Sequence, residues 1–200
     1  MTKPTLKFWF EFASTYSHIA AQRIEALASE AGVEIAWRPF LLGPIFGGQG
    51  WTDSPFNIYP AKGAYMWRDM ERECDRFGIP MTHPSQFPRN GLAAARLATA
   101  AEGEVWAPAF IRGVYLANFA DDRDVADAAV LHEVLVKAGC PDPDAALEAA
   151  ASTPVKQRLR ERTDQAIALG IFGAPTFVVA GDIFWGADRI DQALAAARSA

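Results

Sequence analysis

Leu6, Phe8, Phe10 and Phe12 alternate with Lys7, Trp9 and Glu11, the two-residue period of a β-strand. Most of this run is apolar, so cover is expected on both faces of the strand. The strand should stop at Ser14. From Ala20 the spacing changes, and Ala20, Ile24, Leu27 and Ala31 mark one face of a helix that Gly32 ends. Ser14-Thr15-Tyr16-Ser17 is therefore the turn that opens a helix. Hydroxyls and free backbone N–H groups in such a turn can hold an anion or lower the pKa of a thiol. An ordinary N-cap serine is the other reading of the same residues.

Val33, Ile35 and Trp37 alternate with polar or small residues up to Pro39, giving a second strand. Strand, helix and strand in this order make a βαβ unit with a parallel pair and a right-handed crossover. From Phe40 to Pro60 no period survives, and Gly43-Pro44, Gly47-Gly48 and Pro55-Phe56-Asn57 read as a long loop walling a binding site. A helix is expected from about Ala61, with Met66, Met70, Cys74 and Phe77 on one face and Gly78-Ile79-Pro80 at its end. Further helical patterns run from Gly91 to Ala101, around Trp106 to Val114, around Leu131 to Ala138, and from Pro143 behind an Asp142 cap. Another starts at Thr153-Pro154. Thr176–Val179 and Ile183–Trp185, joined through Ala180-Gly181-Asp182, carry a hairpin signature, and Ile190, Ala193, Leu194 and Ala197 give a closing helix.

The chain reads as one domain of α/β class. Its expected thioredoxin-like parts are residues 5–40 and 153–200, with an all-helical insertion over about 61–152. Half of the 200 residues are hydrophobic, enough for a sizeable core. The 19 basic residues are dispersed against 24 acidic ones, so no stripe for a nucleic-acid backbone forms. No apolar run reaches membrane-spanning length and no signal-like segment opens the chain, which points to a cytoplasmic protein without a membrane partner. Two cysteines do not indicate a disulfide framework, and His18, His83 and His132 lie too far apart in sequence to read as a metal site.

The order βαβ, helices, ββα with a functional turn at the first helix is the thioredoxin arrangement, which places a proline just before its third strand. Gly173-Ala174-Pro175-Thr176 stands in that position. A cis bond there would present the Ala174 backbone to an extended peptide as an added strand, whereas a trans proline would merely begin the strand. Read from the residues alone, Asp188 is an N-cap for the last helix and Arg189 a surface cation or a carboxylate holder. Trp67, Arg68, Asp69 and Arg72 form a charged helical stripe, read as a solvated or interhelical face rather than as catalytic.

The segments Phe10-Glu11-Phe12-Ala13-Ser14-Thr15-Tyr16-Ser17, Trp37-Arg38-Pro39-Phe40-Leu41-Leu42-Gly43, Tyr65-Met66-Trp67-Arg68-Asp69, Gly173-Ala174-Pro175-Thr176 and Phe184-Trp185-Gly186-Ala187-Asp188-Arg189 together resemble the 2-hydroxychromene-2-carboxylate isomerase family. That family is similar to kappa-class glutathione transferases and to the DsbA-like branch of thioredoxin folds. The resemblance implies glutathione as cofactor and Ser14 as the catalytic residue, its hydroxyl donating to the glutathione sulfur and favouring the thiolate. It implies a glutathione site of Ser14, Asn57, Ala174, Pro175, Trp185, Gly186, Ala187 and Asp188. Lys62, Phe46 and Phe87 are then expected on the substrate side, with Trp51 in the same apolar wall. The implied reaction is isomerisation of a small aromatic or conjugated carboxylate in a homodimeric enzyme. A kappa-like conjugation of glutathione to an electrophile is the alternative, and a non-catalytic thioredoxin-fold binding module the second. Two positions depart from the family pattern: Thr15 replaces a proline and His18 an aromatic residue. His18 either adds a titratable group near the sulfur or points away from the cleft.

Overall fold

A computed structural model describes residues 3–199. The chain adopts a DsbA-like thioredoxin fold, a four-stranded mixed sheet carrying a large helical insertion. Strand β1 (Thr5–Phe10) leads into α1 (Thr15–Ala31) and β2 (Glu34–Pro39). Next come α2 (Leu42–Gly48), α3 (Pro55–Ile58), α4 (Pro60–Phe77), α5 (Leu92–Ala100), α6 (Ala107–Phe119), α7 (Ala128–Ala138) and α8 (Pro143–Ala151). Helix α9 (Thr153–Ala168) returns the chain to β3 (Thr176–Val179), β4 (Asp182–Trp185), a 3₁₀ turn (Ala187–Arg189) and α10 (Ile190–Ser199). The sheet order is β2-β1-β3-β4, with β1 parallel to β2 and antiparallel to β3.

The register places Phe8 opposite both Trp37 and Phe177, and the Phe8 and Phe177 rings stack at 5.2 Å. On that face Leu6, Phe8 and Phe10 join α1, α6 and α10 in the main core. On the other face Trp9 packs with Phe40, Ile45, Ala166, Ile171 and Val178. Both faces of β1 are thus covered, which is why its apolar run is nearly unbroken.

Local chemistry accounts for the differences from the sequence pattern. β1 ends at Phe10 rather than running through Phe12, because the Ser14 N–H bonds the Glu11 carbonyl at 3.1 Å and turns the chain toward α1. The expected loop from Phe40 to Pro60 contains two short helices. These are too short to show a helical period; Ser54 caps one of them by accepting from the Phe56 N–H, and Pro55 occupies its first turn. The cap of α9 is Ser152, one residue earlier than the Thr153 signal suggests. In the β3–β4 hairpin only Ala180 and Gly181 form the loop, both with positive φ, so Asp182 already belongs to the strand. Among the described residues no helix is long and apolar enough to cross a membrane.

Candidate active site

The C-terminal end of β1, the N-terminus of α1, the α2–α4 region and the β3 and β4 ends enclose one cleft of about 1120 Å³. Ser14 lies at its floor. The Ser14 side chain accepts from the Ser17 N–H at 3.2 Å, so it does cap α1, and its hydroxyl donates to the Ala174 carbonyl at 2.8 Å. The second bond joins residues 160 positions apart, and it ties the helix entry to the bond before β3. The Ala174-Pro175 bond is cis.

Of the sequence-predicted residues, Ser14, Phe46, Lys62, Phe87, Ala174, Pro175, Trp185, Gly186, Ala187 and Asp188 all line this cleft. Phe46 and Trp51 pack at 5.4 Å, and Phe87 stands edge-on to Trp67 at 4.9 Å, building an apolar wall. Trp185 is half exposed and lies against Phe172 at 4.9 Å. Asp188 makes an exposed pair with Arg189 at 3.4 Å. Asp188 lies inside the 3₁₀ turn, whose N-cap position is Gly186. Asn57 is not among the lining residues. Its amide donates to the Asp53 carboxylate at 3.1 Å and to the Phe87 carbonyl at 3.2 Å, which ties α3 to the Phe87 segment behind the wall.

His18 points away from the cleft. It is fully buried against Tyr115 and Phe119, with Nε2 at 3.2 Å from the Pro80 carbonyl oxygen, and burial lowers its pKa from 6.5 to about 4. Thr15 is buried and its hydroxyl donates to the Met66 sulfur at 3.2 Å, fastening α1 to α4.

The structure also brings in residues that sequence reasoning passed over. Tyr65, Asp69, Glu73 and Arg76 follow the predicted Lys62 at helical spacing, and this one polar face of α4 lines the cleft. Asp69 accepts from the Tyr16 hydroxyl at 3.0 Å, so it is a cleft residue as well as part of the charged stripe. Burial, together with the Asp69 carboxylate, raises the Tyr16 pKa and keeps the phenol protonated. Arg89 also borders the cleft, yet its guanidinium is buried and committed to Asn118, Ser85 and Asp122. Nothing in the sequence around Arg89 signals Asn118 or Asp122, 29 and 33 positions away. Glu11 did carry a signal, as the one acid within the Phe8–Phe12 run. It is half-buried on the cleft floor, and Oε2 accepts from the Ala13 N–H at 2.8 Å. Desolvation raises its pKa from 4.5 to about 7, against the opposing pull of the Ala13 and Ser14 N–H groups.

A helix-entry serine bonded to the residue before a cis proline, in a cleft that also holds the turn after β4, is thioredoxin-fold geometry with serine in place of cysteine at the helix entry. Residues 5–197 match the model of the DSBA-like thioredoxin domain. The chain belongs to the DSBA-like thioredoxin family, in the branch of the 2-hydroxychromene-2-carboxylate isomerases. It is 32% identical over 193 residues to the 2-hydroxychromene-2-carboxylate isomerase of Sphingobium xenophagum, covering 96% of each chain. It is 26% identical over 203 residues to glutathione S-transferase kappa 2 of Caenorhabditis elegans, covering 95% of this chain and 90% of that one. A solved 2-hydroxychromene-2-carboxylate isomerase superposes with a TM-score of 0.84 at 25% identity, covering 94% of this chain and 91% of that chain. These relatives are isomerases and glutathione transferases, and this family member is an enzyme of the same group.

Proposed function

We propose that this protein is a glutathione-dependent isomerase of the 2-hydroxychromene-2-carboxylate isomerase type, acting on a small aromatic or conjugated carboxylate. The observation that carries this reading is the Ser14 hydroxyl at the N-terminus of α1, 2.8 Å from the Ala174 carbonyl oxygen in a cleft shared with Trp185 to Asp188. These groups suit glutathione: a hydroxyl donor and a helix N-terminus for sulfur, a backbone carbonyl for a peptide N–H, and the Asp188 carboxylate for the γ-glutamyl ammonium. When bound, glutathione supplies a thiolate that adds reversibly to a conjugated carbon and is not consumed.

The rest is work for the chain's own residues. Ser14 has one hydroxyl proton, which in this structure goes to Ala174. A sulfur competing for that proton releases the Ala174 carbonyl to accept from the ligand. Phe46 and Phe87 flank a flat conjugated substrate and exclude water, while Lys62 on α4 offers its carboxylate a cation. A reducing cytoplasm fits this reading, because Cys74 and Cys140 are free thiols.

Glutathione titrated calorimetrically into wild type, Ser14→Ala and Asp188→Ala tests the site. Losing a charge-assisted hydrogen bond of about 1.5–3 kcal/mol should raise the pKa of the bound thiol by about 1–2 in Ser14→Ala. Asp188→Ala should weaken binding about tenfold or more. Binding indifferent to both changes would leave only the reading of a non-catalytic module. The kinship with kappa-class transferases keeps conjugation as the alternative reaction, and free thiol measured during turnover separates them. An isomerase leaves glutathione unchanged, whereas a transferase depletes it stoichiometrically.

A further inference from the structure

Ser14 can stabilise a thiolate, yet it is poorly placed to accept the thiol's proton. Its hydroxyl is a donor to Ala174, and its oxygen already accepts from the Ser17 N–H. The proton needs another destination within the cleft. His18 is excluded by direction, since it is buried behind α1 against the Pro80 carbonyl. Asp69 is engaged by the Tyr16 hydroxyl, Asp53 by the Ser54 N–H and the Asn57 amide, Glu73 is paired with Arg76 at 3.5 Å, and Asp188 with Arg189 at 3.4 Å. The remaining carboxylate is Glu11, three residues before Ser14 in the same turn.

Glu11 is built into this place. Its Oε2 is fixed by the Ala13 N–H at 2.8 Å, its carbonyl accepts from the Ser14 N–H at 3.1 Å, and the Tyr115 hydroxyl on α6 bonds the same carbonyl at 2.9 Å. Oε1 extends toward Gly91, where even a methyl group would come within 3.4 Å of it and within 2.8 Å of the Phe12 Cβ. The clash would be with Phe12, so Gly91 lets its segment close against the turn that carries Glu11, with the carboxylate in ordinary contact beside it. We propose that the Glu11 carboxylate takes up the thiol proton when a thiol settles against Ser14, and returns it when the thiol leaves. The proposal rests on the glutathione reading above and adds to it the residue that holds the proton. In this step the S–H bond breaks and an O–H bond forms on Glu11, with the bonding electron pair left on sulfur. Nothing is oxidised or reduced.

The surroundings favour this transfer. Of the titratable groups on neighbouring elements, Tyr115 on α6 lies directly against Glu11, while Tyr16 on α1, Lys62, Asp69, Glu73 and Arg76 on α4, and Arg89 share the cleft lining with it. Arg89 is paired with Asp122. Burial alone puts the carboxyl near neutrality, where a proton carrier works best. A thiolate formed beside it raises its proton affinity further, so ionisation of the thiol and protonation of Glu11 are coupled.

The experiment is a count of protons. Calorimetric titration of glutathione into the protein at about pH 8, in buffers of different ionisation enthalpy, measures proton release per ligand bound; the thiolate's ultraviolet band measures ionisation. Wild type should show the band with release near zero, and Glu11→Gln should show the band with release of about one proton. S-methylglutathione, which has no S–H, should release none from either. Wild type that ionises the thiol and releases a full proton overturns the proposal by itself, whether or not the variant folds, and so does bound thiol without the thiolate band. Wild type that binds no glutathione overturns the glutathione reading instead, a result that calorimetry distinguishes at once.

Discussion

Glu11→Gln also tests the burial of two opposed titrating groups through stability. The folded protein holds the Glu11 proton more tightly than the unfolded chain does, so this group's contribution falls as pH rises from about 4.5 to about 7. The folded protein resists protonation of His18, so that contribution is complete above pH 6.5 and is lost as pH falls toward about 4. Each window is about 2.5 pH units wide, which at about 1.4 kcal/mol per pH unit makes an upper bound of about 3 kcal/mol for each group. Between about pH 4.5 and 6.5 the two slopes are opposite and nearly cancel. Glutamine keeps a carbonyl for the Ala13 N–H but has no proton to gain or lose. In Glu11→Gln the His18 slope is therefore uncovered, and stability drops on acidification below pH 6.5. Above pH 7 the variant should exceed wild type by up to about 3 kcal/mol, less to the extent that cleft water solvates the half-buried carboxylate. Urea unfolding of both proteins from pH 4.5 to 8 gives the difference directly, with the effects of other titrating groups cancelling. A difference that stays constant with pH would refute the burial argument for Glu11.

Two glycines provide independent checks. A Cβ at Gly63 would lie 2.2 Å from the Phe56 carbonyl oxygen, so Gly63→Ala must push α3 away from α4. A cost of about 1–3 kcal/mol is expected, lowering Tm by about 2–4 °C per kcal/mol. An unchanged thermal midpoint would show that the contact yields freely. A Cβ at Gly173 would meet the Trp185 Nε1 at 2.6 Å, so Gly173→Ala should displace the indole from the cleft wall. Glutathione affinity should then fall about tenfold, roughly 1.4 kcal/mol, while far-UV circular dichroism stays the same. Equal affinities would remove Trp185 from the binding wall.

Elements bounded by local chemistry were legible from the sequence. The alternation through Phe8 and Phe10, the helix face from Ala20 to Ala31 and the Gly32 stop rest on period and on the φ that glycine tolerates, both local properties. The same holds for the parallel βαβ unit, because a helical crossover between adjacent strands has few other solutions. α2 and α3 escaped because they are too short to show a period. Ser14 was legible as a helix cap, which it is. Its hydroxyl also donates to the Ala174 carbonyl, which the sheet brings within 2.8 Å although the two residues lie 160 positions apart.

What the tertiary structure alone decided is environment. In sequence, His18 is a residue beside a reactive turn and Asn57 a loop amide near the expected site. Packing turns the first into the protein interior and gives the second to Asp53 and Phe87. Packing also turns the polar face of α4 into a cleft wall and gives Glu11 its raised pKa. Periodicity along a chain reports which side of an element is apolar. The solvent and partners a polar group meets come from segments far away in sequence, and these exist only once the chain has folded.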